Sequence, residues 1–306
     1  MKNHTMKNSV LLFLTAVIWG VAFVAQSVGM DYVGPFTFNA VRFLLGGTVL
    51  LPFLMWKWKS GAIPGEHGKD KTDKTKSGWK ITLTGGICCG CALCTASLLQ
   101  QKGIQNTTVA KAGFITALYI IIVPVLGLFF HKKVRKLVWL GVGLAVAGMY
   151  LLCIKESFAI GRGDFYVFLC AIVFSIHILV IDYFSPKADG VALSCIQFYT
   201  SAVLCGIGMF IWETPSWQAI LSGWAPILYA GILSCGVAYT LQIIGQKGMD
   251  PTVASLILSL ESVISLIAGW ILLGQILSLR EIFGCVLAFT AIILVQLPER
   301  KSGQTI

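Results

Sequence analysis

Charge is what this sequence lacks. Of 306 residues only 12% are charged, and just 13 are acidic. A soluble domain carries about 25% charged residues, so this chain has roughly half the charge needed to cover itself in water. It also lacks a polar stretch long enough for a soluble domain, the longest being residues 57–80. No nucleophile–base pairing, metal signature or nucleotide loop is visible. The G-x-G pairs Gly141…Gly143 and Gly206…Gly208 lie inside apolar runs, without the strand–turn–helix setting a phosphate loop needs. An enzyme is therefore not expected, nor a cofactor or a bound metal. Energised transport would have to draw on an ion or substrate gradient.

What the chain has in abundance is apolar surface: 57% hydrophobic residues and a mean hydropathy of +0.83. The net charge of +10 raises the question of nucleic acid. Most basic residues, however, sit in short connections between apolar runs, and no nucleic-acid partner is expected. The ten cysteines fall mostly within those runs, as small packing residues. Cys88, Cys89, Cys91 and Cys94 contain C-x-x-C spacings, but no neighbouring histidine completes a metal site, and helix packing through small side chains is the better reading.

A membrane span needs about 20 mainly apolar residues at 1.5 Å each to cross about 30 Å of hydrocarbon. Ten segments qualify: 10–30, 35–56, 79–99, 107–130, 137–154, 165–184, 191–212, 224–245, 251–273 and 282–297. Lys2 and Lys7 before the first apolar core suggest a signal peptide, yet Trp19-Gly20 lies inside that core and no clean A-x-A site follows, so it reads as a membrane helix. With the amino terminus inside, 17 Lys and Arg fall on the cytoplasmic side and five on the outer side; Arg42, within a span, completes the 23. The positive-inside rule then puts both termini in the cytoplasm of a cell (plasma) membrane protein.

The third and eighth spans repeat one another. At an offset of 145, Ser77-Gly78-Trp79 meets Ser222-Gly223-Trp224, Gly86-Ile87 meets Gly231-Ile232, Thr95 meets Thr240, and Gln101-Lys102-Gly103 meets Gln246-Lys247-Gly248. After one gap, Thr108-Val109-Ala110 meets Thr252-Val253-Ala254. Nearer the amino terminus the offset is 155, where Arg42-Phe43 faces Gln197-Phe198. Five spans is an odd number, so the halves, 1–156 and 157–306, would sit upside down to one another. The fold class expected is all-α integral membrane, ten transmembrane helices as two inverted five-helix repeats. That is an architecture of alternating-access carriers, with the site near the midplane. Repeats within one chain remove the need for a dimer, and a monomer is expected.

Several motifs also resemble a known family. Trp19-Gly20 with Phe23, Arg42-Phe43, Gly113-Phe114…Leu118-Tyr119…Pro124 and Leu260-Glu261…Gly269-Trp270…Leu273-Gly274, in this order, resemble the ten-helix EamA-type members of the drug/metabolite transporter superfamily. The resemblance covers essentially the whole chain. It implies export or exchange of small metabolites, often amino acids, around a central cavity lined by both halves. Ser262 and Gln275 depart from the family pattern, standing where proline and glutamate are usual.

An ionisable residue inside a membrane helix costs about 2.5–3.5 kcal/mol on insertion scales and is a functional candidate by default. Arg42 and Glu261 stand out. Their repeat counterparts, Gln197 and Ala117, are uncharged, and the two lie within about 5 Å of the same depth at 1.5 Å per residue. Glu261 is a candidate for a substrate amine or a coupling proton, Arg42 for a carboxylate; the alternatives are a structural ion pair or Arg42 snorkelling outward. Lys111 is either an anchor at the external mouth or a snorkelling residue. His177, in the sixth span, suits proton relay or plain packing. Trp19, Phe23, Tyr119, Tyr239 and Trp270 lie within spans and are candidates to line a cavity for apolar or aromatic substrates. The expected partners are thus the bilayer, a small amphipathic solute and protons. Nucleotide-sugar or lipid carriers, and a channel, are the alternatives.

Overall fold

The computed structural model describes residues 2–60, 71–107, 109–129, 136–153, 161–273 and 279–296. All regular structure among them is helical. Hydrocarbon offers backbone N–H and C=O groups no partner, so segments this apolar must satisfy them internally. The helices are α1 (Lys2–Gly29), α2 (Pro35–Lys59), α3 (Lys71–Ile104), α4 (Val109–Thr116), α5 (Tyr119–Phe129), α6 (Lys136–Cys153), α7 (Arg162–Phe184), α8 (Gly190–Trp212), α9 (Trp217–Ser222), α10 (Trp224–Leu228), α11 (Thr240–Gln246), α12 (Pro251–Leu258), α13 (Glu261–Leu273) and α14 (Leu279–Gln296), with a π-helical stretch, Tyr229–Tyr239, joining α10 to α11. Eight helical stretches are long and apolar enough to cross a membrane; Lys136–Gly148 and Ile282–Ala291 are shorter apolar helices. Of the expected fold, an all-helical, multi-pass membrane protein is what the structure holds.

Three spans that read as uninterrupted helices in the sequence are broken. In the fourth, backbone bonds tighten to three-residue spacing at the α4–α5 junction, as in Leu118 N to Ile115 O (3.2 Å) and Ile120 N to Ala117 O (3.0 Å). Pro124 then removes the N–H that would bond the Ile120 carbonyl. In the ninth, the α12–α13 junction carries the same spacing, as in Leu260 N to Ile257 O (3.2 Å) and Ser262 N to Ser259 O (3.2 Å). Here the cause is a serine ladder: the hydroxyls of Ser255, Ser259, Ser262 and Ser265 each donate to the carbonyl three residues earlier, at 2.7–2.9 Å. In the eighth span the widened π turns place Ser234 and Tyr239.

Around these breaks α1 packs on α13, α11 and the π stretch, α2 on α8, α3 on α7 and α8, and α6 on α14. The approach of α1 to α13 depends on Gly20, where a Cβ would lie 2.5 Å from Ile264 Cβ and 2.8 Å from the Glu261 carbonyl oxygen. The antiparallel pair α2 and α8 is fastened at both ends. The N-cap of α2, Gly34, supplies no side chain; the Glu213 carboxylate after α8 instead accepts from Phe36 N (2.8 Å), Thr37 N (2.8 Å) and the Thr37 hydroxyl (2.6 Å). At the far end Lys57 pairs with Asp189, which also caps α8 through Val191 N and Ala192 N.

Candidate functional site

The breaks surround a cavity. It is narrow, about 30 Å³ in volume. Its aromatic wall is Trp19 and Phe23 from α1, Tyr119 from the head of α5, Phe174 from α7 and Tyr239 from the end of the π stretch. Trp19 and Tyr239 pack ring against ring, centroids 4.5 Å apart, and the Trp19 indole N–H reaches the Ser234 carbonyl at 3.3 Å. Polar groups complete the lining: Gln26, Gln100, Thr116, Ser234 and Gln242, together with Arg42 and Glu261.

Both charges are buried. Arg42 is 2% exposed. Its Nε donates to Asn39 Oδ1 at 2.8 Å and its Nη1 to Gln26 Oε1 at 3.1 Å, with the Phe43 ring 4.9 Å from the guanidinium carbon. Its Nη2 is buried with no hydrogen-bond partner. Glu261, the first residue of α13, accepts a 2.9 Å hydrogen bond on Oε1 from the hydroxyl of Tyr119, the first residue of α5. The two broken spans therefore meet at this bond. Arg42 and Glu261 share the cavity without pairing with one another.

Six of the residues expected at the site from sequence thus line one cavity: Trp19, Phe23, Arg42, Tyr119, Tyr239 and Glu261. Trp270 is placed elsewhere. It lies nine residues beyond Glu261, and at 3.6 residues per turn that is half a turn out of phase. Its side chain is half exposed on the outside of the bundle. His177 is fully buried behind the wall, Nε2 lying 3.1 Å from Gln197 Oε1 and the ring edge-on to Tyr239 at 6.1 Å. Lys111 belongs to α4, but its side chain is outside the described residues, as is Gln275. The sequence reading passed over Gln26, Gln100 and Gln242. The signal was there, since a buried amide in hydrocarbon is costly too, but glutamine carries no charge to mark it.

A fold made of membrane-crossing helices, with broken spans gathered round a buried polar cavity, is that of a multi-pass membrane protein. The sequence matches the EamA-like transporter family over residues 6–154 and again over residues 161–297, and the protein belongs to that family. It is 29% identical to an uncharacterized transporter of Archaeoglobus fulgidus, over 94% of this chain and 84% of that one. It is 26% identical to the uncharacterized transporter YwfM of Bacillus subtilis, over 96% of this chain and 95% of that one. A solved crystal structure shares the fold with a TM-score of 0.75 at 18% identity, over 94% of this chain and 96% of that one.

Proposed function

We propose that the protein is a secondary carrier of small amphipathic metabolites of the amino-acid type, an exporter or exchanger working by alternating access. The observation that carries this reading is a buried cation and a buried carboxylate facing one cavity unpaired, the Arg42 Nη2 with no partner at all. A zwitterion supplies the missing partners. Its carboxylate meets Arg42, whose donors suit planar anions; its amine meets Glu261; its apolar body lies against Trp19, Phe23 and Tyr239. Glu261 is also the group that would carry a coupling proton, since a carboxylate loses its charge when protonated, and His177 is the further candidate. Lys111, near the start of α4, would serve the external mouth.

The architecture proposed is ten spans in two inverted units, residues 1–156 and 157–306. The sequence repeat, the separate family matches to 6–154 and 161–297, and equivalent breaks in the fourth and ninth spans support it. The 17-to-five distribution of cations supports termini on the cytoplasmic side of the plasma membrane. We take the carrier to act as a monomer in the bilayer.

The test is uptake of a labelled amino-acid panel into proteoliposomes, with and without an imposed pH gradient. Saturable, gradient-dependent uptake is expected, and Glu261→Gln should abolish the gradient dependence. Gradient dependence that survives in Glu261→Gln would remove that residue from coupling. Linear, unsaturable flux would indicate a channel, and no uptake of any amino acid would move the substrate to nucleotide sugars or lipids.

A further inference from the structure

Two glutamines lie at the ends of two spans, the third and the eighth. Gln101, near the end of α3, and Gln246, the last residue of α11, are both fully buried. Gln101 Nε2 donates to the backbone carbonyl of Gln26 at 3.0 Å, and Gln246 Nε2 donates to the backbone carbonyl of Ile178 at 2.7 Å. Gln26 and Ile178 both line the cavity. In each glutamine the other half of the amide, Oε1, is buried with no partner.

The correspondence runs through the repeat. An offset of 145 pairs Gln101 with Gln246 and Ser97 with Gln242, and the offset of 155 places Gln26 opposite Ile181, one turn from Ile178. Ser97 Oγ and Gln242 Oε1, one turn before the two glutamines, are likewise buried without partners. The same amide-to-carbonyl bond thus ties α3 to α1 in one half and α11 to α7 in the other. In the inverted arrangement proposed above, the third and eighth spans end on opposite membrane faces.

A bond of this form suits a gate better than a permanent brace. A brace would satisfy both halves of the amide, because a buried acceptor without a partner is a standing cost. Here water reaching Oε1 would recover that cost as the end opens.

We propose that Gln101 and Gln246 are the latches of the two cavity mouths, released one at a time so that the site faces one side or the other. This rests on the carrier reading and adds the residues that hold each mouth shut.

The test is hydrogen–deuterium exchange of the full chain in lipid nanodiscs, comparing Gln101→Leu and Gln246→Leu with the parent protein. Gln246→Leu is expected to raise amide exchange in residues 174–185 by about ten-fold, the size of one hydrogen bond lost from a local opening equilibrium, while residues 20–30 stay unchanged. Gln101→Leu is expected to do the reverse. Unchanged exchange in both variants, or a rise at both ends in either, would overturn the proposal. Gln→Met at each position keeps the length of the side chain and removes the donor; should neither Leu nor Met variants fold, the bonds hold the fold together and are not latches. Because the readout needs no substrate, failed amino-acid uptake would count against the carrier reading alone, and exchange without this one-ended pattern against the latches alone.

Discussion

Arg42 is held by two neutral oxygens, Asn39 Oδ1 and Gln26 Oε1, and none of its described partners is an acid. The positive charge is positioned without being neutralised, which is what recognition of an anion requires. Arg42→Gln, the residue its repeat counterpart Gln197 already carries, should lower the transport efficiency for carboxylate substrates by roughly 10- to 150-fold, the equivalent of one charged hydrogen bond of about 1.5–3 kcal/mol. Competition by an amine lacking the carboxylate should be unaffected. Inhibition constants for a matched pair, an amino acid and its decarboxylated amine, check this; equal losses for both would mean that Arg42 shapes the cavity without reading the anion. Arg42 and Glu261 were legible in the sequence because charge within apolar runs is so rare. The placing of Trp270 away from the cavity was not legible, because its place in a motif near Glu261 says nothing of helical phase, and nine residues turn it to the opposite face. The amides Gln26, Gln100 and Gln242 escaped because a neutral polar side chain leaves so faint a mark in composition.

At the scale of elements, α2 has no N-terminal cap of its own and takes Glu213 from the end of α8. A carboxylate on two free backbone N–H groups and a hydroxyl at a helix N-terminus forms charge-assisted bonds and meets the favourable end of the helix dipole. Glu213→Ala should lower stability by about 1.5–3 kcal/mol, and Glu213→Gln, which keeps one acceptor, by less. Thermal unfolding in detergent measures both. If the two were equal to the parent protein, the contact would contribute nothing to holding α2. The apolar runs gave the helices, because a segment of that length and composition has no other way to satisfy its backbone in lipid. The breaks were not legible. Serine hydroxyls bonding three residues back, and i−3 backbone bonds at the α4–α5 junction, are local choices that hydropathy does not register.

Across the whole molecule, each half contributes one charge to a cavity whose other lining is neutral: Arg42 comes from the first and Glu261 from the second. In the inverted arrangement proposed above, the counterparts Gln197 and Ala117 carry no charge. The consequence is electrical. A zwitterion bound between the two adds no net charge to the translocating site, so exchange of one amino acid for another should ignore membrane voltage. A proton travelling on Glu261 adds one charge, worth about 2.3 kcal/mol per 100 mV, which is an accumulation of roughly fifty-fold at equilibrium. Imposing a potassium diffusion potential with valinomycin on the proteoliposomes separates the two modes. Voltage-driven net uptake that disappears in Glu261→Gln, beside voltage-blind exchange that persists, is the expected pair; voltage-sensitive exchange would mean that the solute itself crosses as an ion. The asymmetry would then tie transport to the membrane potential through the single proton that Glu261 carries.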